Sequence, residues 1–287
     1  MLAIYKRELK SYFNSMMGYA VLFVFLLLVS IYFWGVNLGN QDGYIGDTLQ
    51  SVCVIYTIIL PILTMRVFAE EKRNKTDQLL FSAPVRIWSI IWGKYLAVVT
   101  FFSLPFVVIC SMPLVLSRYG TVIFLKSYVA IFVFWLLGCV MLAMGVLASS
   151  LTENQIVAAV IGFAANISLF IMAQVANLIS SSASASLIGL SILCLLGIAL
   201  VFAFVRNIII TGMLLIILET ALQVVYHIKS DLFEGVFTKV LSGISFYSRF
   251  GEFIGGSFSI ASVVYYVSFI FLFLYFTMHV IQKRRWS

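Results

Sequence analysis

The sequence predicts an all-α polytopic membrane protein, and three observations carry that expectation. The 287 residues are 63% hydrophobic and only 10% charged, with a mean hydropathy of +1.10. Soluble domains are about half apolar and a quarter charged. The apolar residues also fall in continuous runs, several long enough for the roughly 20 residues a helix needs to cross a hydrocarbon core of about 30 Å. Those runs lack the strict alternation of a membrane β-strand, which excludes a barrel.

Spans are assigned at about 17–36, 49–68, 93–117, 127–150, 155–179, 187–205, 207–226 and 261–281. The first reads MMGYAVLFVFLLLVSIYFWG and the last ASVVYYVSFIFLFLYFTMHVI. Only Arg206 and Asn207 separate the sixth run from the seventh. The two form either tightly joined spans or a hairpin that enters the membrane and returns, so the count is six to eight. Either arrangement adds an even number of crossings and leaves the side of the C-terminus unchanged.

Positive charge sets the orientation. With the N-terminus inside, 13 of the 18 Lys and Arg residues lie in inner segments. The outer ones hold only Arg118, Lys126, Lys229, Lys239 and Arg249. The first outer loop, NLGNQDGYIGDT, has two Asp and no base. This bias predicts both termini on the cytoplasmic side. The net charge of +7 is accounted for by membrane topology, without a nucleic-acid partner.

Three segments outside the spans have patterns of their own. In residues 1–16, Leu2, Tyr5, Leu9, Tyr12, Phe13 and Met16 recur at helical spacing, with Lys6, Arg7, Lys10 and Asn14 on the other side. That pattern predicts an interfacial helix with its bases among lipid headgroups, not a signal peptide. In residues 227–260, Leu232, Phe233, Val236, Phe237, Val240 and Leu241 suggest an amphipathic helix on the outer side. Gly251, Gly255 and Gly256 there permit a sharp turn or close packing. The third segment is FAEEKRNKTDQLLFSAPVR, in which six of the eight residues from Glu70 to Asp77 are charged. A helix over 70–82 is expected, ended by Ser82-Ala83-Pro84 because the residue before a proline is pushed out of the α region. Its Leu79-Leu80-Phe81 knob suits either a docking element for a soluble partner or a solvated loop pinning the span ends.

No chemistry of catalysis is legible. The Gly93-Lys94 pair is followed by Tyr95 and lacks the upstream glycine of a phosphate loop. No zinc motif, nucleophile elbow or carboxylate dyad occurs. His227 and His279 are far apart, and Cys53, Cys110, Cys139 and Cys194 are dispersed in or beside apolar runs. No catalytic residue, metal site or bound cofactor is therefore expected. Within the spans Glu219 stands out, with Gln223 one turn on, and an acid at that depth is a candidate for a transport pathway. Asn166, Gln174 and Asn177 form a polar stripe in the fifth span, which either lines a passage or joins helices. A stand-alone secondary transporter or channel would use Glu219 as its ion-coupling site, but no inverted repeat is evident.

The run Met65-Arg66-Val67-Phe68-Ala69-Glu70-Glu71-Lys72-Arg73, then Thr76, Leu79-Leu80, Pro84-Val85 and Gly93-Lys94, resembles the permease subunits of the ABC-2 exporter family. Within it, the likeness is to the branch of gliding-motility and nitrous-oxide-accessory permeases. Residues 5–13, 149–155 and the final Arg284-Arg285-Trp286 are similar to that family's opening helix, second cytoplasmic turn and exit. Lys75 stands where the family usually has Gly, and residues 180–240 add an apolar pair that six-span relatives lack. The resemblance implies a type V exporter-like transmembrane fold, a single domain over residues 1–287. It also implies a dimer with a second permease copy or homologue, in the inner membrane. Two separate ATPase subunits would carry ATP and magnesium. Residues 70–86 would form the coupling helix, with Glu70, Glu71, Lys72, Arg73, Thr76, Leu79, Leu80 and Phe81 at the ATPase and Glu153 in a second contact. Residues 227–260 would be re-entrant and cap the path.

Overall fold

The computed structural model describes residues 1–40, 42–76, 85–178, 182–205, 208–228, 233–255 and 259–286, and all regular structure among them is helical. Helix α1 (Leu2–Phe13) stops at Asn14, and extended Ser15 turns the chain into α2 (Met16–Tyr32). The far end of α2 loosens into a π-helical turn, Phe33–Leu38. Helices α3 (Gly46–Thr64) and α4 (Arg66–Arg73) are almost continuous, with Met65 at the break. Then follow α5 (Ile87–Ile109), the short α6 (Met112–Leu116), α7 (Phe124–Leu151) and α8 (Gln155–Leu178). The chain continues through α9 (Ala183–Val205), α10 (Ile208–Ile228), α11 (Val236–Ile244), α12 (Phe246–Ile254) and α13 (Ile260–Trp286).

Seven stretches among the described residues are long and apolar enough to cross a membrane. They are Met16–Leu38, Gly46–Arg73, Ile87–Leu116, Phe124–Leu151, Gln155–Met172, Thr211–Ile228 and Ile260–Lys283. The remaining run forms α9, and at 23 and 21 residues α9 and α10 are each the length of a full crossing.

Internal packing divides the chain into two units, residues 1–170 with 249–287, and residues 171–248. In the first, α7 is the central helix and packs against α3, α4, α5 and α13. Close approach is possible because Gly138 and Gly145 carry no Cβ: one would strike the Phe102 ring, the other the Thr64 side chain. Around them Tyr56 stacks on Phe134 at 4.3 Å and meets Phe102 edge-on. Most of the apolar surface of α2 and α8 faces outward, as lipid-facing helices require. In the second unit α9 packs on α10 and α11, and Gly189 lies under the Phe237 ring. The amphipathic pattern of the 227–260 segment becomes α11, and a second short helix, α12, follows it. Ser245 separates the two, its Oγ accepting from Ser248 N at 3.3 Å as the cap of α12.

Candidate functional site

The charged stretch lies where α3 leaves the apolar core and its helix breaks. Pro61 supplies no N–H. Past Met65, α4 starts with the unpartnered donors of any helix N-terminus. Met65 offers no side-chain cap; Ser149, in the last turn of α7, supplies one. Its Oγ accepts from Phe68 N at 3.0 Å and from Ala69 N at 3.1 Å, and donates to the Met65 carbonyl at 2.9 Å. One hydroxyl from another helix thus satisfies three backbone groups at the break.

The stretch does not start a new helix at Glu70 running to residue 82, as its charge and its proline suggest. The helix begins at Arg66 and ends at Arg73. Thr76 N donates to Glu71 O at 3.0 Å and Lys75 N to Lys72 O at 3.1 Å, the paired bonds of a Schellman motif. Lys75 has φ 57°, the left-handed conformation that closes such a turn. Asp77 and the Leu79, Leu80 and Phe81 knob lie outside the described residues, as does Pro84.

Lys94, on the eighth residue of α5, is the centre of the arrangement. It is only 1% exposed, so its charge requires partners. Its Nζ donates to Val67 O at 2.8 Å and to Glu8 Oε1 at 3.2 Å. It also pairs with Glu71 Oε1 at 3.0 Å and sits 5.2 Å over the Phe68 ring. Arg7 closes the set from α1, its Nη2 lying 2.7 Å from Glu8 Oε1 and 2.6 Å from Glu71 Oε1. Two cations and two carboxylates balance, and they join α1, α4 and α5. The hydrogen bond to Glu8, then the charges of Glu8 and Glu71, raise the Arg7 pKa against its partial desolvation.

Further bonds fasten the same elements. Buried Lys72 donates from Nζ to the Ser150 carbonyl at the end of α7, a favourable place for a cation. Tyr12 Oη donates to Leu63 O at 3.1 Å. Burial raises the pKa of that phenol, against the pull of Arg66, which keeps it a donor. Arg66 Nη1 donates to Ser15 Oγ at 2.7 Å while its guanidinium covers the Tyr12 ring at 4.8 Å.

The motif therefore divides in two. Val67, Phe68, Ala69 and Lys72 are buried and Glu71 is half-buried, whereas Glu70, Arg73, Asn74, Lys75 and Thr76 are exposed. Glu153 is exposed in the α7–α8 turn, where Thr152 Oγ1 accepts from Asn154 N and Asn154 Oδ1 accepts from Ile156 N. The turn follows directly on the Ser149 and Ser150 that hold α4. Arg7, Glu8, Lys94 and Ser149 are site members that the sequence reading used only as topology markers or as parts of the resemblance. A lysine two turns inside an apolar helix was the available signal for Lys94.

The proposed pathway residues are distributed differently. Asn166 is wholly enclosed, and neither atom of its amide has a hydrogen-bond partner. Gln174 on the same helix is exposed, and the Asn177 side chain lies outside what is described. Glu219 is half-buried with Oε1 enclosed and unpartnered, and Gln223 is exposed. Among the described residues no three His, Cys, Asp or Glu side chains come together as a metal site.

Long apolar helices packed on α7, with a network of ion pairs at one end, define a polytopic membrane protein that fixes a charged helix end against its core. The family model described as ABC-2 family transporter protein matches residues 36–188, from the π turn into α9 and over more than half of the chain. The chain belongs to that family of transmembrane permeases. Among curated proteins none matches it.

Proposed function

We propose that the chain is the permease subunit of an ABC exporter, with its nucleotide chemistry on a separate ATPase. In this reading it sits in the inner membrane with both termini cytoplasmic and pairs with a second permease copy or homologue. Two ATPase subunits, carrying ATP and magnesium, bind at the end that holds α4. The observation that carries this is the division of the charged motif into an inner and an outer half. Lys72 and Glu71 fasten α4 to α7, α5 and α1, while Glu70, Arg73 and Thr76 face out with the Leu79-Leu80-Phe81 knob following. A load on the outer half then passes into three helices at once and is not absorbed by a loop. Glu153 offers a second contact that moves with the first, because Ser149 and Ser150 are bonded to α4.

ATP binding would act as a difference in ATPase affinity between two permease states. Glu71 and Lys72 become positioning residues in this reading, and contact falls to Glu70, Arg73, Thr76 and the knob. Glu219 and Gln223 are assigned to the translocation path together with Gln174 and Asn177, and enclosed Asn166 to helix contact. The test is co-expression with the host's ABC ATPases and recovery of the complex on the tagged permease. Exchanging the exposed charges, Glu70→Arg with Arg73→Glu, is expected to reduce the recovered ATPase, as is Leu79→Ala with Leu80→Ala. If both double variants retain the ATPase at the native level, the coupling assignment is wrong.

A further inference from the structure

Helix α1 carries its bases on one strip. Ala3, Lys6, Arg7, Lys10 and Asn14 recur at helical spacing, and all are exposed. Apolar side chains are uncovered at the ends of the helix and just beyond, with Leu2 74%, Phe13 39% and Met16 89% exposed. A basic strip flanked by bare apolar residues fits an anionic membrane surface better than it fits water. Arg7 belongs to both settings. Its side chain is 56% exposed on the basic strip, yet its Nη2 reaches Glu71 Oε1 on α4 at 2.6 Å.

We propose that α1 binds anionic phospholipid through Lys6, Arg7 and Lys10, and that a headgroup phosphate draws Arg7 away from Glu71. The lipid then sets how tightly α4 is held. The inference rests on the reading that this end of the chain lies on the cytoplasmic side of the membrane. Water screens an exposed ion pair, so the Arg7–Glu71 bond is weak and exchangeable. An anionic leaflet attracts each nearby base, and here three act together. Lys94 is buried and out of reach of the headgroup, so Glu71 keeps one cation when Arg7 leaves. The strut loosens and does not unfold. Linkage makes the effect reciprocal: whatever moves α4 changes the affinity of α1 for the lipid.

The full-length chain in nanodiscs tests this without any ATPase, so failure here is separable from failure of the coupling reading. Hydrogen–deuterium exchange is followed in peptides covering residues 66–76, in phosphatidylcholine alone and with added phosphatidylglycerol. Phosphatidylglycerol is expected to speed exchange by about two- to fivefold, the range an exposed ion pair spans. Arg7→Gln should exchange at the fast rate in both lipids. Lys6→Gln with Lys10→Gln should keep the slow rate and lose most of the response. Equal native rates in the two lipids overturn the proposal, and so does a full lipid response surviving in either variant. An equal acceleration by inorganic phosphate in phosphatidylcholine discs also overturns it, because the site would then take a free anion and not a membrane surface.

Discussion

Lys75 holds the left-handed conformation at the end of α4, with φ 57°. There a Cβ meets the following carbonyl, at a cost of about 1–2 kcal/mol. Glycine escapes that cost but gives up about 0.5–1 kcal/mol of unfolded-state entropy. The balance predicts that Lys75→Gly leaves stability unchanged or raises it by up to about 1.5 kcal/mol, read as the thermal midpoint of the detergent-purified chain. A clear fall would contradict the turn. The same residue explains why the end of α4 was not legible. A glycine after Arg73 would have announced a stop, as it usually does in the family; with lysine there, the charge and the proline at 84 suggested a helix to 82. Ser149 makes a second residue-scale case. Ser149→Ala removes the acceptor of two buried N–H groups, each of which costs about 1–3 kcal/mol when left bare. A loss of at least about 2 kcal/mol is expected, whereas Ser150→Ala, which leaves the Lys72 bond to a carbonyl intact, should cost little. No local pattern marks a hydroxyl that caps a helix starting some eighty residues earlier.

At the scale of elements, α4 is rigid because three other helices hold it. The most informative disruption is Lys94→Met, similar in size to the lysine but without charge. It leaves Glu8 and Glu71 close together without their buried cation, and breaking such a pair costs about 3–5 kcal/mol. Adding Glu71→Gln removes one of the stranded charges. The double variant should therefore recover part of the loss, with a coupling energy of about 1–3 kcal/mol in a double-mutant cycle of thermal stability. Strict additivity would mean that the two side chains do not interact. Lys94→Arg is not a mild change here, because a planar fork of five donors replaces a compact group in a closed site. The long helices themselves were legible, since a continuous apolar run dictates a spanning helix whatever its neighbours do. Their cross-connections were not, because Arg7 and Glu8 look solvated until α1 folds against α5, and nothing local names the partners of Lys94. In the 227–260 segment the amphipathic period of α11 was visible. The second helix was hidden because its start depends on the Ser245 cap between two short runs.

At the scale of the whole molecule, the larger unit separates its charges along its helices. The end of α4 gathers Lys6, Arg7, Lys10, Arg66, Lys72, Arg73, Lys75 and Lys94, of which Arg7 and Lys94 share the carboxylates Glu8 and Glu71. The far end has Arg118 and Lys126, beside a pocket of about 300 Å³ lined by residues that include Asn37, Asp42 and Tyr119. Between the two lies the 28-residue stretch Gly46–Arg73, about 42 Å long at 1.5 Å per residue and so more than the roughly 30 Å of a hydrocarbon core. In the reading proposed above, the two ends emerge on opposite sides of the membrane and the basic end faces the cytoplasm. Single cysteines test this directly. Gly120 has open space where a Cβ would go, and Thr76 is exposed, so neither substitution disturbs packing. Of the native thiols, Cys53 and Cys139 are buried and withheld from the reagent, so only the partly exposed Cys110 and Cys194 are replaced by alanine in the background. A membrane-impermeant thiol reagent should label Gly120→Cys in intact cells and leave Thr76→Cys unlabelled. In inverted vesicles the pattern should reverse. Labelling of Thr76→Cys in intact cells would put α4 on the side where no cytoplasmic ATPase could reach it, and the proposed coupling would fail with the topology.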